Sequence, residues 1–128
     1  MILLDTHVLV WLASDPGQLS SIAQAAIRAN PASLHISVVS AWEIALLVKR
    51  GRLILPLPSD DFLTRAMAHH GLIELPLTRR VVQASVVLPD IHNDPFDRIL
   101  IAECNARGLS LISRDGVIPR YPGLHVIW

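Results

Sequence analysis

Short apolar runs alternate with longer amphipathic segments along the whole chain. The short runs are MILL at 1–4, SLHISV at 33–38, LIELPL at 72–77, LSLISRD at 109–115 and LHVIW at 124–128, and each predicts a β-strand. Since strands that alternate with helices are typical of α/β domains, we expect a layered α/β fold with a mostly parallel central sheet.

Capping residues and helix breakers set the limits of the predicted helices. The first covers THVLVWLAS, and the second is capped by Ser20 or Ser21 and stopped by Asn30 and Pro31. The third covers SAWEIALLVKRG with Ser40 as its cap, the fourth runs from near Ser59 to Gly71, and the fifth from near Thr78 to before Pro89. The sixth is DPFDRILIAECNARG, in which Asp94 is the N-cap and Pro95 the first helical residue.

Composition narrows the class of protein. The chain is 52% hydrophobic and 17% charged, which is apolar for 128 residues in one predicted domain, so we expect part of the surface to be buried in a homodimer. No apolar run approaches the ~20 residues of a membrane span, and no signal peptide is recognised at the start. Cys104 is the only cysteine, so no intrachain disulfide is possible, which fits a cytoplasmic protein.

Four acids occupy positions where a carboxylate is costly. Asp5 ends the first strand and Asp115 the fourth, and the carboxyl ends of parallel strands lie at one edge of a sheet. Glu43 lies on an apolar helix that we expect to be largely buried, and Asp97 lies in the first turn of another. No Lys or Arg residues are placed to pair with all four, so the set predicts a Mg²⁺ or Mn²⁺ site of the kind used in phosphodiester hydrolysis.

Three segments resemble a known family. LLDTHVLVWL, SVVSAWEIALLVKRGRL and DPFDRILIAECNARGLSLISRD occur in the order and spacing of PIN-domain ribonucleases, and more closely of the VapC-type toxins of bacterial toxin–antitoxin pairs. The resemblance implies a three-layer α/β/α sandwich and a Mg²⁺- or Mn²⁺-dependent endoribonuclease that cuts structured RNA such as tRNA or rRNA. It also implies a VapB-like antitoxin whose C-terminal arm blocks the site.

The resemblance assigns roles residue by residue. The family's acids fall on Asp5, Glu43, Asp97 and Asp115, with Thr6 and Ser113 as supporting polar residues. Asp94 belongs to the DPFDR branch of the family and is interpreted mainly as a helix cap, with a metal-binding role left open. The basic residues expected to face RNA are Lys49, Arg50, Arg52, Arg79, Arg80 and Arg114, although an ordinary solvated surface explains them equally well.

Other interpretations remain at this point. A PIN-like RNA-processing nuclease, or a catalytically silent scaffold that binds RNA or protein, would share the fold. A haloacid-dehalogenase-type phosphatase would need an Asp where His7 stands, and a receiver domain would need a late Lys, whereas Lys49 is the only lysine. We interpret His7 as packing or capping locally, His92 as a loop residue, and Trp11 and Trp42 as core or interface residues. No His pair has convincing zinc spacing with Cys104, so we expect no zinc.

Overall fold

The computed structural model describes residues 1–128 and contains every predicted strand and helix. The strands are β1 (Ile2–Leu4), β2 (Leu34–Ser37), β3 (Ile73–Leu75), β4 (Ser110–Ile112) and β5 (Val126–Ile127). The helices are α1 (Thr6–Ser14), α2 (Ser21–Ala29), α3 (Val38–Lys49), α4 (Ser59–His70), α5 (Arg79–Val86) and α6 (Pro95–Arg107), and two 3-10 turns cover Pro16–Gln18 and Ile118–Arg120. None of these helices has both the length and the apolar character that crossing a membrane requires.

The five strands form one parallel sheet in the order β3-β2-β1-β4-β5. The chain builds the sheet outward from β1 through β2 to β3, and then returns to place β4 on the other side of β1. The order therefore reverses between β1 and β4. In open α/β sheets, the crevice beyond the carboxyl ends of the strands at such a reversal is the usual position of a ligand.

Alternate residues of the strands face opposite sides of the sheet and fill two separate hydrophobic cores. Ile2 and Leu4 of β1 pack with residues of α1, α2 and α4, whereas Leu3 packs with residues of α5 and α6. Each core contains 13 buried residues, so both faces of the sheet are covered. The predicted three-layer α/β/α architecture is confirmed.

The third helix differs from its prediction in two respects. It begins one turn earlier, because the side chain of Ser37 rather than Ser40 caps it and accepts the N–H of Val39 at 3.2 Å. It is also not largely buried: only Val39, Ser40 and Ile44 are inaccessible, whereas Trp42 is 55% exposed. The helix packs against α1, α4 and α6, and its apolar residues Trp42, Ala45 and Val48 remain exposed.

All five strands are shorter than their apolar runs predicted. β4 covers Ser110–Ile112 instead of 109–115, β3 covers Ile73–Leu75 instead of 72–77, and β5 covers Val126–Ile127 instead of 124–128. Leu72 and Leu109 are buried but lie outside the strands, so an apolar run does not mark where a strand ends.

Candidate active site

Asp5 and Asp115 both lie at the carboxyl edge of the sheet, beside its reversal. Asp5 directly follows β1 and is 6% exposed, and the Ser113 hydroxyl beyond β4 donates to Asp5 Oδ2 at 2.5 Å. The same hydroxyl oxygen accepts the backbone N–H of Asp115 at 3.1 Å, and Asp115 Oδ1 accepts the N–H of Val117 at 2.7 Å. Ser113 therefore links the two acids across the neighbouring strands.

Burial raises the pKa of Asp5. The Ser113 hydrogen bond and the electrostatic influence of His7 oppose this shift in the pKa of Asp5, and the charge of Asp115 adds to it. Asp5 thus lies in a poorly solvated position, with a second carboxylate near enough to influence its titration.

Glu43 enters the site from α3. The Thr6 hydroxyl at the start of α1 donates to the Ser40 hydroxyl at 2.9 Å, which ties α1 to α3 one turn before Glu43. Glu43 Oε1 is buried without a hydrogen-bond partner. Burial raises the pKa of Glu43, and the charges of Asp5 and Asp94 raise it further. An orphaned buried carboxylate oxygen is uncommon in native proteins and points to a missing partner.

Helix α6 supplies the remaining acids. Asp94 Oδ1 accepts the backbone N–H of Asp97 at 2.9 Å, so the predicted N-cap role of Asp94 is confirmed. The side chain of Asp97 is only 14% exposed. Burial raises the pKa of Asp97 to about 7, with additional contributions from the charges of Asp5, Asp94 and Asp115. Asp94 and Asp97, at the start of one helix, therefore both take part in the charge interactions of this group of acids.

Asp97 has a partner that the sequence did not reveal. His92 Nε2 lies 3.0 Å from Asp97 Oδ2, whereas no Lys or Arg nitrogen lies within 4.0 Å of any carboxylate oxygen. His92 does lie in a loop, as expected, but it contacts the site. Its Nδ1 is 2.6 Å from the hydroxyl of Tyr121, which also accepts from Arg98. Arg98 is the Arg of the DPFDR motif, and its place in that motif could have marked it as a candidate. No spacing rule connects His92 with Tyr121, which is 29 residues away.

The donor set fits a hard cation in its chemistry. Asp5 is buried and the other carboxylates are partly buried, they repel one another and have no Arg or Lys counter-charge, and Glu43 Oε1 lacks any partner. In the present side-chain arrangement, however, no three His, Cys, Asp or Glu groups are placed to hold one ion. Side chains would have to rotate before several of them could contact the same cation.

The basic residues expected to face RNA lie in separate places. Arg52 lines a cleft of about 450 Å³ together with Thr6, His7 and Trp11, and the guanidinium carbon of Arg114 is 5.9 Å from the centre of the Trp11 ring. Thr6 places this cleft directly beside the acids. By contrast, Arg80 lines a cavity of about 220 Å³ with Thr78 and Arg107. Lys49 and Arg50 are exposed at the end of α3, and Arg79 is exposed at the start of α5.

Trp11 and Trp42 lie in different environments. Trp11 is partly buried and packs beside His7 and Trp128, with ring centres 5.9 and 6.0 Å away, so His7 packs locally as expected. Trp42 is exposed, which excludes a core position, and its ring meets Phe96 edge to face at 4.9 Å. Phe96 is partly buried, and Trp42 and Phe96 immediately precede Glu43 and Asp97 in sequence, so this aromatic pair flanks two of the acids.

Comparisons with known proteins agree with this architecture. The chain is 29% identical to Ribonuclease VapC22 of Mycobacterium tuberculosis over 130 residues, covering 99% of this chain and 98% of that protein. Its fold is similar to chains in the DNA-bound VapBC structure from Salmonella typhimurium (TM-score 0.71, 15% identity, 98% and 95% of the two chains covered). It is also similar to chains in the promoter-bound VapBC2 structure from Rickettsia felis (TM-score 0.74, 13% identity, 98% and 97% covered). The PIN domain family model matches residues 2–124, and the chain therefore belongs to the PIN domain family.

Proposed function

We propose that this protein is a metal-dependent endoribonuclease that acts as the toxin of a toxin–antitoxin pair. The observation that carries the proposal is the cluster of buried acids at the reversal of the sheet, in which burial raises the pKa of Asp5, Glu43 and Asp97 and no Lys or Arg compensates their charge. Membership of the PIN family and similarity to Ribonuclease VapC22 support phosphodiester hydrolysis of RNA as the reaction.

The proposed metal ligands are carboxylates from four parts of the chain. Asp5, Glu43, Asp97 and Asp115 would hold one or two Mg²⁺ or Mn²⁺ ions, with Asp94 as a further candidate. A divalent cation in such a site activates water and stabilises the charge that develops on the phosphate. Among these proposed ligands, Glu43 is the one with a carboxylate oxygen that is buried without a partner.

The neighbouring polar residues would orient these acids. The Ser113 hydroxyl holds Asp5 Oδ2 and leaves its other carboxylate oxygen without a side-chain hydrogen bond. The Thr6–Ser40 hydrogen bond fixes the start of α1 against α3, and hence the position of Glu43 relative to Asp5. Asp94 fixes the first turn of α6 and so the position of Asp97.

The cleft beside Thr6 is the proposed path of the RNA. Arg52 and Arg114 supply positive charge for phosphates, and His7 and Trp11 supply flat surfaces for bases. Structured RNA such as tRNA or rRNA is the proposed substrate. Arg79 and Arg80, which are not among the residues lining this cleft, are expected to contribute less, so Arg52→Gln should raise KM more than Arg80→Gln does.

We further propose a cytoplasmic homodimer inhibited by a VapB-like antitoxin. The similarity to VapBC complexes supports the antitoxin. The exposed valines of the α5 region support burial against a second copy, because Val86 and Val87 are 73% and 82% exposed although they are fully apolar.

The decisive experiment is cleavage of structured RNA by the purified protein with Mn²⁺, with Mg²⁺ and with chelator. We expect cleavage only with metal. Asp5→Asn should abolish cleavage while circular dichroism remains unchanged, because an amide keeps the volume of the side chain but loses its charge. Asp61→Asn, which neutralises an exposed acid on α4, is the matched control and should cleave like the parent.

The same variants separate the alternatives in vivo. Expression of the parent should arrest bacterial growth, and expression of Asp5→Asn should not. Growth arrest by both proteins would contradict a nuclease toxin. Cleavage in vitro without any growth arrest would favour an RNA-processing nuclease, and the absence of cleavage under all metal conditions would favour a silent scaffold.

A further inference from the structure

A continuous chain of hydrogen bonds leads from the outside of the site to Asp97. The Arg98 guanidinium donates to the Tyr121 hydroxyl at 3.1 Å, the hydroxyl lies 2.6 Å from His92 Nδ1, and His92 Nε2 lies 3.0 Å from Asp97 Oδ2. Three of the four side chains have no part in the proposed metal chemistry.

Arg98 fixes the direction of the first bond, and the distances favour one direction for the other two. Arginine has only donors and stays protonated, so the Tyr121 oxygen must accept from Arg98. The Tyr121 proton is then free to be donated, and His92 Nδ1 at 2.6 Å is much closer than its alternative acceptor, the His92 carbonyl at 3.5 Å. A neutral imidazole that accepts at Nδ1 carries its proton on Nε2, and this proton points at Asp97 Oδ2.

The far end of the chain is anchored in the backbone. The Arg98 guanidinium is within 2.9 to 3.4 Å of the carbonyl oxygens of Ser85, Val86, Leu88, Pro89 and His92. The first two belong to the last turn of α5, whose carbonyls have no partners inside that helix. Arg98 therefore holds the loop that carries His92, and neither His92 nor Tyr121 depends on a ligand for its position.

We propose that His92 and Tyr121 are positioning residues, which hold Asp97 by Oδ2 so that Oδ1, which accepts no hydrogen bond, is presented to the metal. This inference rests on the proposed function, because it explains the orientation of Asp97 by its proposed role as a metal ligand. Carboxylate ligands of metals are themselves usually hydrogen-bonded, and loss of such a partner typically costs 10- to 100-fold in metal affinity or activity.

Substitutions of His92 separate positioning from simple packing. His92→Leu removes the donor while keeping an apolar side chain of similar size, and His92→Gln retains a nitrogen donor of similar reach. We expect His92→Leu to weaken Mn²⁺ binding to the RNA-free protein by about 10- to 100-fold in calorimetric titration. His92→Gln should recover most of this loss. Tyr121→Phe removes only the hydroxyl and should cause a smaller loss of several-fold. His69→Gln, on the exposed end of α4, is the control and should bind like the parent.

Kinetics and spectroscopy complete the test. In the cleavage assay His92→Leu should lower kcat with KM unchanged, because RNA contacts are not altered. In nuclear magnetic resonance spectra of the metal-free parent, the Nε2 proton of His92 should appear as a downfield, slowly exchanging signal that disappears in Asp97→Ala. This signal keeps the proposal falsifiable if His92→Leu does not fold.

The proposal is overturned if His92→Leu binds Mn²⁺ as tightly as the parent or more tightly, if His92→Gln is no better than His92→Leu, or if the Nε2 proton signal is absent. Failure of the parent to cleave any RNA would contradict the proposed function but not the positioning role, which the metal titration and the proton signal test independently.

Discussion

Opposing influences act on the pKa of the Asp97 carboxyl group. Burial and the charges of Asp5, Asp94 and Asp115 raise its pKa to about 7, and the hydrogen bond from His92 opposes the shift. Between its ordinary value of 3.8 and about 7, the folded protein holds a proton that the unfolded chain has already released. Stability of the metal-free protein therefore falls as pH rises through this interval and is constant above it.

Asp97→Asn is predicted to remove this pH dependence. Each pKa unit corresponds to about 1.4 kcal/mol, and partial solvent screening reduces the effect, so we expect the variant to be more stable than the parent by about 1–2 kcal/mol at pH 8. At pH 4 the two proteins should differ little, because Asp97 is then protonated when folded. Urea denaturation in chelator at both pH values measures this. An unchanged difference between pH 4 and pH 8 would show that Asp97 titrates normally.

At the scale of the element, the start of α6 carries both its capping residue, Asp94, and a proposed metal ligand, Asp97. Asp94 caps the helix through the N–H of Asp97, and Pro95 occupies the first helical position, where its missing N–H has no cost. Ile99, Leu100 and Ile101 then enter the core. The first turn is thus held by its cap on one side and by the core on the other, which gives Asp97 a fixed backbone.

Asp94 substitutions are predicted to distinguish capping from metal binding. Asp94→Ala removes the cap and should lower the free energy of unfolding by about 1 kcal/mol. Asp94→Asn keeps an equally good cap, so its stability should be close to that of the parent, and its RNA cleavage should be only mildly reduced. Chemical denaturation and the cleavage assay are the measurements. Complete loss of cleavage in a fully stable Asp94→Asn would make Asp94 a metal ligand.

At the scale of the whole molecule, the site exists only in the folded chain. Asp5 follows β1, Glu43 lies on α3, Asp97 on α6, and Asp115 follows β4. A cation that binds only this assembled arrangement stabilises the fold by about RT ln(1 + [L]/Kd), or about 2.7 kcal/mol at a hundredfold excess over Kd.

Millimolar Mn²⁺ is therefore predicted to raise the melting temperature of the parent by several degrees at neutral pH, and chelator should reverse the effect. Asp5→Asn should respond much less, and Asp61→Asn should respond like the parent. Thermal denaturation with and without metal is the measurement. Identical curves in Mn²⁺ and in chelator would mean that the carboxylates do not converge on an ion.

The element pattern and the positions of the acids were determined by the sequence alone. Hydrophobic periodicity and caps are local properties, so the run MILL ending in Asp5, and Asp94 before Pro95, sufficed to predict a buried strand, a helix start and a shared edge for Asp5 and Asp115. The PIN resemblance extended these predictions to the architecture. Local signals were weakest at the ends of the strands and at the start of α3, where Ser40 was the expected cap and the folded chain uses Ser37 instead.

Tertiary structure alone decided which side chains meet. Ser113 reaches Asp5 across 108 residues of sequence, and Tyr121 reaches His92 across 29, because β1 and β4 are neighbours and the turn after β4 packs against α6. The exposure of Trp42 could not be predicted from the sequence either. An apolar helix has the same sequence pattern whether its outer face is covered by its own chain or remains exposed on that chain. Periodicity reports which residues avoid water, whereas the identity of their neighbours depends on how the layers pack.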